Sequence, residues 1–233
     1  MFYLENAGDL EVKLKDIKHL KARRLKLKDR AKFCNFKDDF IYIYKIIELD
    51  RAAKLLLISK ELKISDAKGI LALALIDDLE KVLAPLNELN LKSLFIFPAH
   101  FSQKNFMPTS KDLARMQKLL ISSSCQCERT DTLELVFLRD LEELLAQAAK
   151  EGLEPIAWHA QANIQTAQAN IQIAQTATAN QIPPNPLFII GPEAGFAPQE
   201  LSQIPKTLHL KQAKILRSIN AAIAAASILK YHS

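Results

Sequence analysis

Glycine is scarce in this chain of 233 residues, with only five in all. Neither Gly-x-Gly-x-x-Gly nor Gly-x-x-x-x-Gly-Lys occurs, which excludes the Rossmann dinucleotide fingerprint and the P-loop phosphate cradle. Cysteine is rarer still. Cys34, Cys125 and Cys127 form an odd set, and the Cys125-x-Cys127 pair lacks a second Cys or His cluster to complete a zinc site. The thiols therefore read as reduced, and no metal is expected. Long apolar runs are also missing: the longest, 70–76 and 221–229, fall well short of the roughly 20 residues that span a bilayer. Met1-Phe2-Tyr3-Leu4-Glu5-Asn6 carries neither a basic n-region nor an apolar h-region, so a cytoplasmic protein is expected.

The net charge of +5 is unevenly placed. Residues 1–68 hold 17 Lys/Arg against 11 Asp/Glu, a net +6, whereas the remaining residues hold 14 against 15. A solvated positive face is the ordinary reading of such an excess. Confined to one small module, it is also what a phosphate-backbone partner requires.

Hydrophobic patterning divides the chain at the same place. Residues 13–30 carry nine bases with Leu20, Leu25 and Leu27 interleaved, which suggests a basic helix or helix-turn. Runs at 31–36, 40–47 and 55–59 are aromatic or β-branched, and Lys37-Asp38-Asp39 marks a hairpin, so 1–68 reads as a small β-barrel. From 69 onward strands and helices alternate. Strands are expected at 70–76, 93–97, 133–137, 154–158 and 188–190. Helices are expected from Asp77/Asp78 to Leu89, where Pro85 should bend or break the helix, from a Ser110 cap with Leu113, Met116 and Leu120 on one face, and over 140–150. The result is an α/β domain, 69–233, with a largely parallel sheet. Residues 161–182 interrupt it with a Gln/Ala/Asn repeat whose single apolar position per period is too narrow a stripe to bury, so it reads as a low-complexity insertion.

Two of the five glycines fall in one loop. Phe188-Ile189-Ile190 runs into Gly191-Pro192-Glu193-Ala194-Gly195-Phe196-Ala197-Pro198, a buried strand ending in a sharp turn before a short helix. Glycine admits positive φ and lets the backbone approach a ligand closely, and loops at carboxyl ends of strands are where open α/β sheets bind ligands. A tight strand-to-helix turn with Pro198 opening the helix would leave the same signature.

A second stretch decides between these readings. Leu210-Lys211-Gln212-Ala213-Lys214-Ile215-Leu216-Arg217-Ser218 precedes an alanine-rich helix at 215–231. Together the two stretches resemble the RsmE family of the SPOUT superfamily, methyltransferases acting on N3 of a uridine in small-subunit ribosomal RNA. Gly191, Pro192, Glu193 and Gly195 match the family's glycine loop, with Ala194 in place of one glycine, and Ile215, Leu216 and Arg217 match its Ile-Leu-Arg. Gln126 and Arg129 resemble a further conserved segment of the family, and His19, Leu20, Arg24 and Leu25 a weaker one. Departures include Pro85, Asn90, Gln212 and Ile219.

The resemblance implies a C-terminal SPOUT-type sheet with a trefoil knot and an N-terminal PUA-like β-barrel that grips RNA. It implies S-adenosyl-L-methionine bound by Gly191, Pro192, Glu193, Gly195, Leu210, Ile215 and Leu216, with Arg217 and Arg129 as catalytic residues. It further implies RNA contacts from Arg23, Arg24 and Lys26, 16S rRNA of the small ribosomal subunit as partner, and a homodimer. Small residues at Ala221, Ala222, Ala224, Ala225 and Ala226 would allow close helix approach, within the domain or between subunits.

Overall fold

The computed structural model describes residues 1–102, 108–158, 182–208 and 216–232. The chain divides into two compact units, Met1–Asp66 with Leu120–Thr132, and Ala67–Leu119 with Leu133–Ser233.

The first unit is built on a five-stranded mixed sheet. Its strands are β1 (Phe2–Tyr3), β2 (Glu11–Leu14), β3 (Arg30–Cys34), β4 (Phe40–Leu49) and β5 (Ala53–Leu62), in the order β1-β3-β4-β5-β2. Only the β1–β3 pair is parallel. The alternating aromatic and β-branched residues of β4 suit a half-buried pleated strand, and two register shifts against β5 bend it. Phe33, Tyr44, Ile46 and Leu55 form the centre of its core. Tyr44 is buried yet satisfied, because its hydroxyl donates to the Asp9 carbonyl at 2.7 Å and accepts the Gly8 N–H at 2.9 Å.

Of the helix and the helix-turn that the basic stretch suggests, the structure shows the second. Only α1 (Lys18–Ala22), five residues, is helical, and Lys13 lies on β2. Leu20 is the single buried residue of α1, so a longer helix would bury too little to offset its crowded like charges. Beyond it the chain turns through Arg24 (φ 56°) and Lys28 (φ 77°).

From residue 67 onward the chain alternates β6 (Lys68–Ala74), α2 (Leu79–Glu88), β7 (Leu91–Phe97), α3 (Ser110–Cys127), whose residues from Leu120 on belong to the first unit, β8 (Glu134–Phe137), α4 (Leu141–Lys150), β9 (Glu154–Trp158), β10 (Pro186–Ile190), α5 (Pro198–Gln203), β11 (Lys206–Leu208) and α6 (Ser218–His232). The six strands are all parallel, in the order β11-β9-β10-β6-β7-β8. One face buries Ile70, Ala72, Ala74, Phe95, Phe97, Leu187 and Ile189 with Leu141, Leu144 and Ala148 of α4. On the other, α6 packs against β6, β10 and α2. Strands buried on both faces are why these segments read as continuous apolar runs.

Several expectations need correction. Pro85 neither ends nor breaks α2, which continues to Glu88. The proline forfeits the one bond its N–H would have made, and buried Val82, Leu83 and Leu86 hold the helix in place. Asp78, at the N-cap position of that helix, makes no side-chain cap bond, and its carboxylate binds Lys81 at 2.8 Å instead. Thr109 rather than Ser110 caps α3: its hydroxyl accepts from the Asp112 N–H at 3.3 Å while Asp112 accepts from the Thr109 N–H at 3.0 Å. Leu113 is exposed, whereas Met116 and Leu120 are buried. Strand β11 was not anticipated. The repeat at 161–182 lies outside the described residues except for Ile182.

Candidate active site

The parallel sheet itself marks a crevice. From β6 the chain builds outward to β7 and β8, then returns to the far side for β9, β10 and β11, so β10 ends beside β6 where the direction of winding changes. Such switch points, at the carboxyl ends of the strands, are where open α/β sheets leave room for ligands. The glycine loop emerges there, directly after Ile190, which pairs with Leu73 of β6 and Trp158 of β9.

Each part of the loop has a local cause. Pro192 to Gly195 form a turn closed by the Gly195 N–H on the Pro192 carbonyl at 2.9 Å. Gly195 has φ +79°, the left-handed region that glycine enters without strain, and a Cβ there would find no atom of the described residues within 4 Å. Among those residues the turn's backbone has open space beside it at this point. Gly191 is required for a different reason. The Phe196 ring folds back over it, and a Cβ on Gly191 would meet that ring at 3.0 Å. Glu193 and Ala194 at the tip are exposed, while Gly191, Pro192, Phe196 and Ala197 are buried.

Two side chains from outside the turn hold it. Glu200 accepts the Ala197 N–H at 2.8 Å with one carboxylate oxygen and the His100 N–H at 2.8 Å with the other, tying the start of α5 to the loop after β7. Ser218, 4% exposed, donates its hydroxyl to the Gly191 carbonyl at 2.8 Å across 27 residues of sequence. That bond fixes the end of β10 to the start of α6. Sequence reasoning gave neither Glu200 nor Ser218 a part in the loop. The Glu at the third position after Ala197 was a signal for the former, but nothing in the sequence distinguishes Ser218 from an ordinary helix-opening serine.

Arg217 is therefore brought to the glycine loop through its neighbour. It is exposed, and its carbonyl accepts the Ala221 N–H at 2.9 Å, so its side chain stands at the N-terminus of α6. A cation there opposes the helix dipole by a few tenths of a kcal/mol, so helix stability does not account for an arginine at this position. Leu216 is half-buried beside it. Leu210 and Ile215 lie outside the described residues. Trp158 meets Phe188 edge to face at 5.9 Å.

The other candidates belong to the first unit. The Arg129 side chain is buried and ion-paired with Asp131. Arg23 pairs with Glu128 at 3.1 Å and lies 5.8 Å over the Phe2 ring. Arg24 and Lys26 are exposed. Cys34, Cys125 and Cys127 are free thiols, and burial pushes that of Cys125 up to about 11, which disfavours a reactive thiolate. Among the described residues no group of three or more His, Cys, Asp or Glu could hold a metal ion, and no helix is long and apolar enough to cross a membrane.

The alanines of the last helix have a use inside their own unit. Ala221, Ala222, Ala225 and Ala226 are buried, on a helix that packs on β6, β10 and α2. They are thus not available to a second subunit, and the close approach they permit is to the sheet.

Comparison with known proteins bears on what such a site does. Residues 61–230 match the family described as RNA methyltransferase domain. Ribosomal RNA small subunit methyltransferase E from Helicobacter pylori strain J99 is 31% identical over 215 residues, covering 89% of this chain and 88% of that protein. The protein of the same name from strain 26695 is 29% identical over 227 residues, covering 94% and 93%. Among solved structures, ribosomal RNA small subunit methyltransferase E from Neisseria gonorrhoeae, bound to S-adenosyl methionine, superposes with a TM-score of 0.72 at 19% identity, covering 99% of this chain and 96% of that one. A Legionella pneumophila protein with the same cofactor bound gives 0.70 at 20% identity, covering 98% and 96%.

Proposed function

The chain belongs to the RsmE family of RNA methyltransferases, and on that premise we propose that it transfers a methyl group from S-adenosyl-L-methionine to N3 of a uridine in 16S-type rRNA of the small ribosomal subunit. The observation that carries this reading is the glycine loop at the switch point of an all-parallel sheet, held open beside Gly195 and anchored at Gly191.

The residues present fit the cofactor. Gly195 offers its backbone beside space that no described residue fills, Gly191, Pro192 and Glu193 lead the chain into that turn, and Leu216 is the described member of the second loop that would wall the site. When bound, S-adenosylmethionine supplies an electrophilic methyl on a sulfonium centre. What remains for the protein is to position and polarise the base. Uridine N3 is a weakly acidic imide that must lose its proton to become the nucleophile. The exposed guanidinium of Arg217 stabilises the negative charge that spreads onto the uracil oxygens, in a planar fork that lysine cannot reproduce. Holding nucleophile and methyl in line supplies much of the remaining rate enhancement. Arg129 would serve structurally through Asp131, with charge stabilisation left to Arg217.

The finer features implied by the family complete the proposal: a trefoil knot in the second unit, a PUA-like barrel in the first with Arg23, Arg24 and Lys26 on RNA phosphates, and a homodimer. With Ala221, Ala222, Ala225 and Ala226 of α6 used internally, half-buried Ile219 and Ile223, one turn apart on one flank of that stripe, are apolar side chains of the helix left for a partner.

Labelled S-adenosylmethionine, purified protein and small ribosomal subunits test the reaction directly. Digestion of the RNA should yield N3-methyluridine, and Arg217→Lys should lower kcat at least about tenfold, roughly 1.4 kcal/mol of transition-state stabilisation, with cofactor affinity little changed. A ribose-methylated product would assign the protein a different RNA target. An unchanged rate in Arg217→Lys would make the arginine structural.

A further inference from the structure

Methyl transfer does not account for a cavity of about 330 Å³ that lies wholly within the first unit. That volume is in the range of small-ligand pockets. Its walls come from β1, β3, β4, the chain after α1 and residues 128–130.

The lining combines cations with apolar surface. Arg30 and Lys32, two apart on β3, project to the same side of the sheet. The Lys32 ammonium is 3.3 Å from Glu61, whereas the Arg30 guanidinium has no ion pair or hydrogen bond among the described residues. Arg23 is pinned between Glu128 and the Phe2 ring, and the Met1 amine lies 3.5 Å from the same Glu128 carboxylate. That carboxylate is held below its ordinary value, first by the hydrogen bond from Arg23 and then by the terminal amine, so it stays ionised and fixes both. Leu25 and Ile41 supply the apolar surface.

A free cation, a fixed guanidinium and two aliphatic side chains around one concavity match the parts of a nucleotide. A duplex presents phosphates on a convex surface with its bases already stacked. Unpaired nucleotides can splay a base out to rest on aromatic or guanidinium planes. We propose that this cavity takes one unpaired nucleotide of RNA, with its phosphate on Arg30, Lys32 and the fixed Arg23 and its base against Leu25 and Ile41. The inference rests on the RNA methyltransferase reading but concerns the other unit, so the two can fail separately.

The test uses the full chain and a fluorescein-labelled five-residue oligouridylate, which has no secondary structure. Arg30→Ala should weaken binding about tenfold, the loss of one charge-assisted contact. Lys15→Ala, which removes an exposed charge of the same unit outside the cavity, should weaken it less than about twofold. Uridine 5′-monophosphate should compete at concentrations where inorganic phosphate does not. Equal losses in the two variants would make the effect diffuse electrostatics and overturn the pocket. Competition by phosphate as effective as by the nucleotide, or by a fully paired hairpin as effective as by the oligouridylate, would overturn it as well. Calorimetry with S-adenosylmethionine on the same preparations should show equal affinity in wild type and Arg30→Ala. If neither binds it, the methyltransferase reading falls while the oligouridylate result still decides the pocket.

Discussion

The loop between β3 and β4 and the loop after β10 both turn sharply, by opposite means. In the first, side chains close the turn. Asn35 accepts the N–H groups of Lys37 and Asp38 at 2.9 and 3.2 Å and donates to Asp38 at 2.6 Å, and Asp38 accepts from the Phe40 N–H and the Tyr42 hydroxyl at 2.9 and 2.8 Å. Phe36 is held at φ 53° by this network. The glycine loop is closed by backbone and by Phe196 packing, with Glu200 and Ser218 bracing it from either side. A turn that uses its own side chains for closure commits its polar groups to structure. One made with glycine and braced from outside keeps backbone and space available to a ligand, and that difference separates a structural turn from a binding loop.

Breaking the brace or the fit of the glycine loop should have the largest effect. Gly191→Ala places a methyl 3.0 Å from the Phe196 ring, tighter than nearly all such contacts, so the ring that packs on the turn must give by a few tenths of an ångström. We expect S-adenosylmethionine affinity to fall by about two orders of magnitude or more and stability by about 1–3 kcal/mol, read by calorimetry and denaturant unfolding. Adding Phe196→Ala should recover part of the affinity, because the clash is with that ring. Ser218→Ala comes next. Losing the buried bond to the Gly191 carbonyl should cost about 1–2 kcal/mol and raise KM for the cofactor more than it lowers kcat, and Ser218→Thr, which keeps the hydroxyl, should restore KM. Recovery of neither would show that the hydroxyl does not position the loop.

The smallest effect belongs to the other turn. Burial raises the Asp38 carboxyl, but hydrogen bonds from Asn35, Tyr42 and the Phe40 N–H, with the Lys63 charge, outweigh it and leave the pKa below 3.8. A depressed folded pKa stabilises above the unfolded value and loses that contribution as pH falls through the folded one. Asp38→Asn should therefore cost about 1 kcal/mol or less near neutrality, given solvent screening, and the difference from wild type should shrink as the pH drops below 4. Cofactor affinity should not change.

Much of the second unit was legible because its strands are buried on both faces. Ile70 to Ala74 and Leu187 to Ile190 are apolar without interruption, and the glycine loop announced itself through two of five glycines. What could not be read was relational. Ser218 becomes a brace only when α6 returns to β10, and a serine opening a helix looks the same in any fold. Pro85 looked like a bend or break within the helix because local preference opposes it, and tertiary packing of its neighbours kept the helix running to Glu88. In the first unit the basic stretch hid a strand and a short helix, since charge density says little about backbone conformation. The pairing of Arg23 with Glu128, 105 residues apart, has no local signature.

Amide hydrogen exchange with and without S-adenosylmethionine tests the contrast between the two turns most directly. On cofactor addition, protection should rise across 191–197 and at the start of α6, while residues 35–39 and the cavity lining of the first unit exchange at the same rate. Protection confined to 35–39, or no change at 191–197 under saturating cofactor, would contradict the assignment of the glycine loop as the binding site.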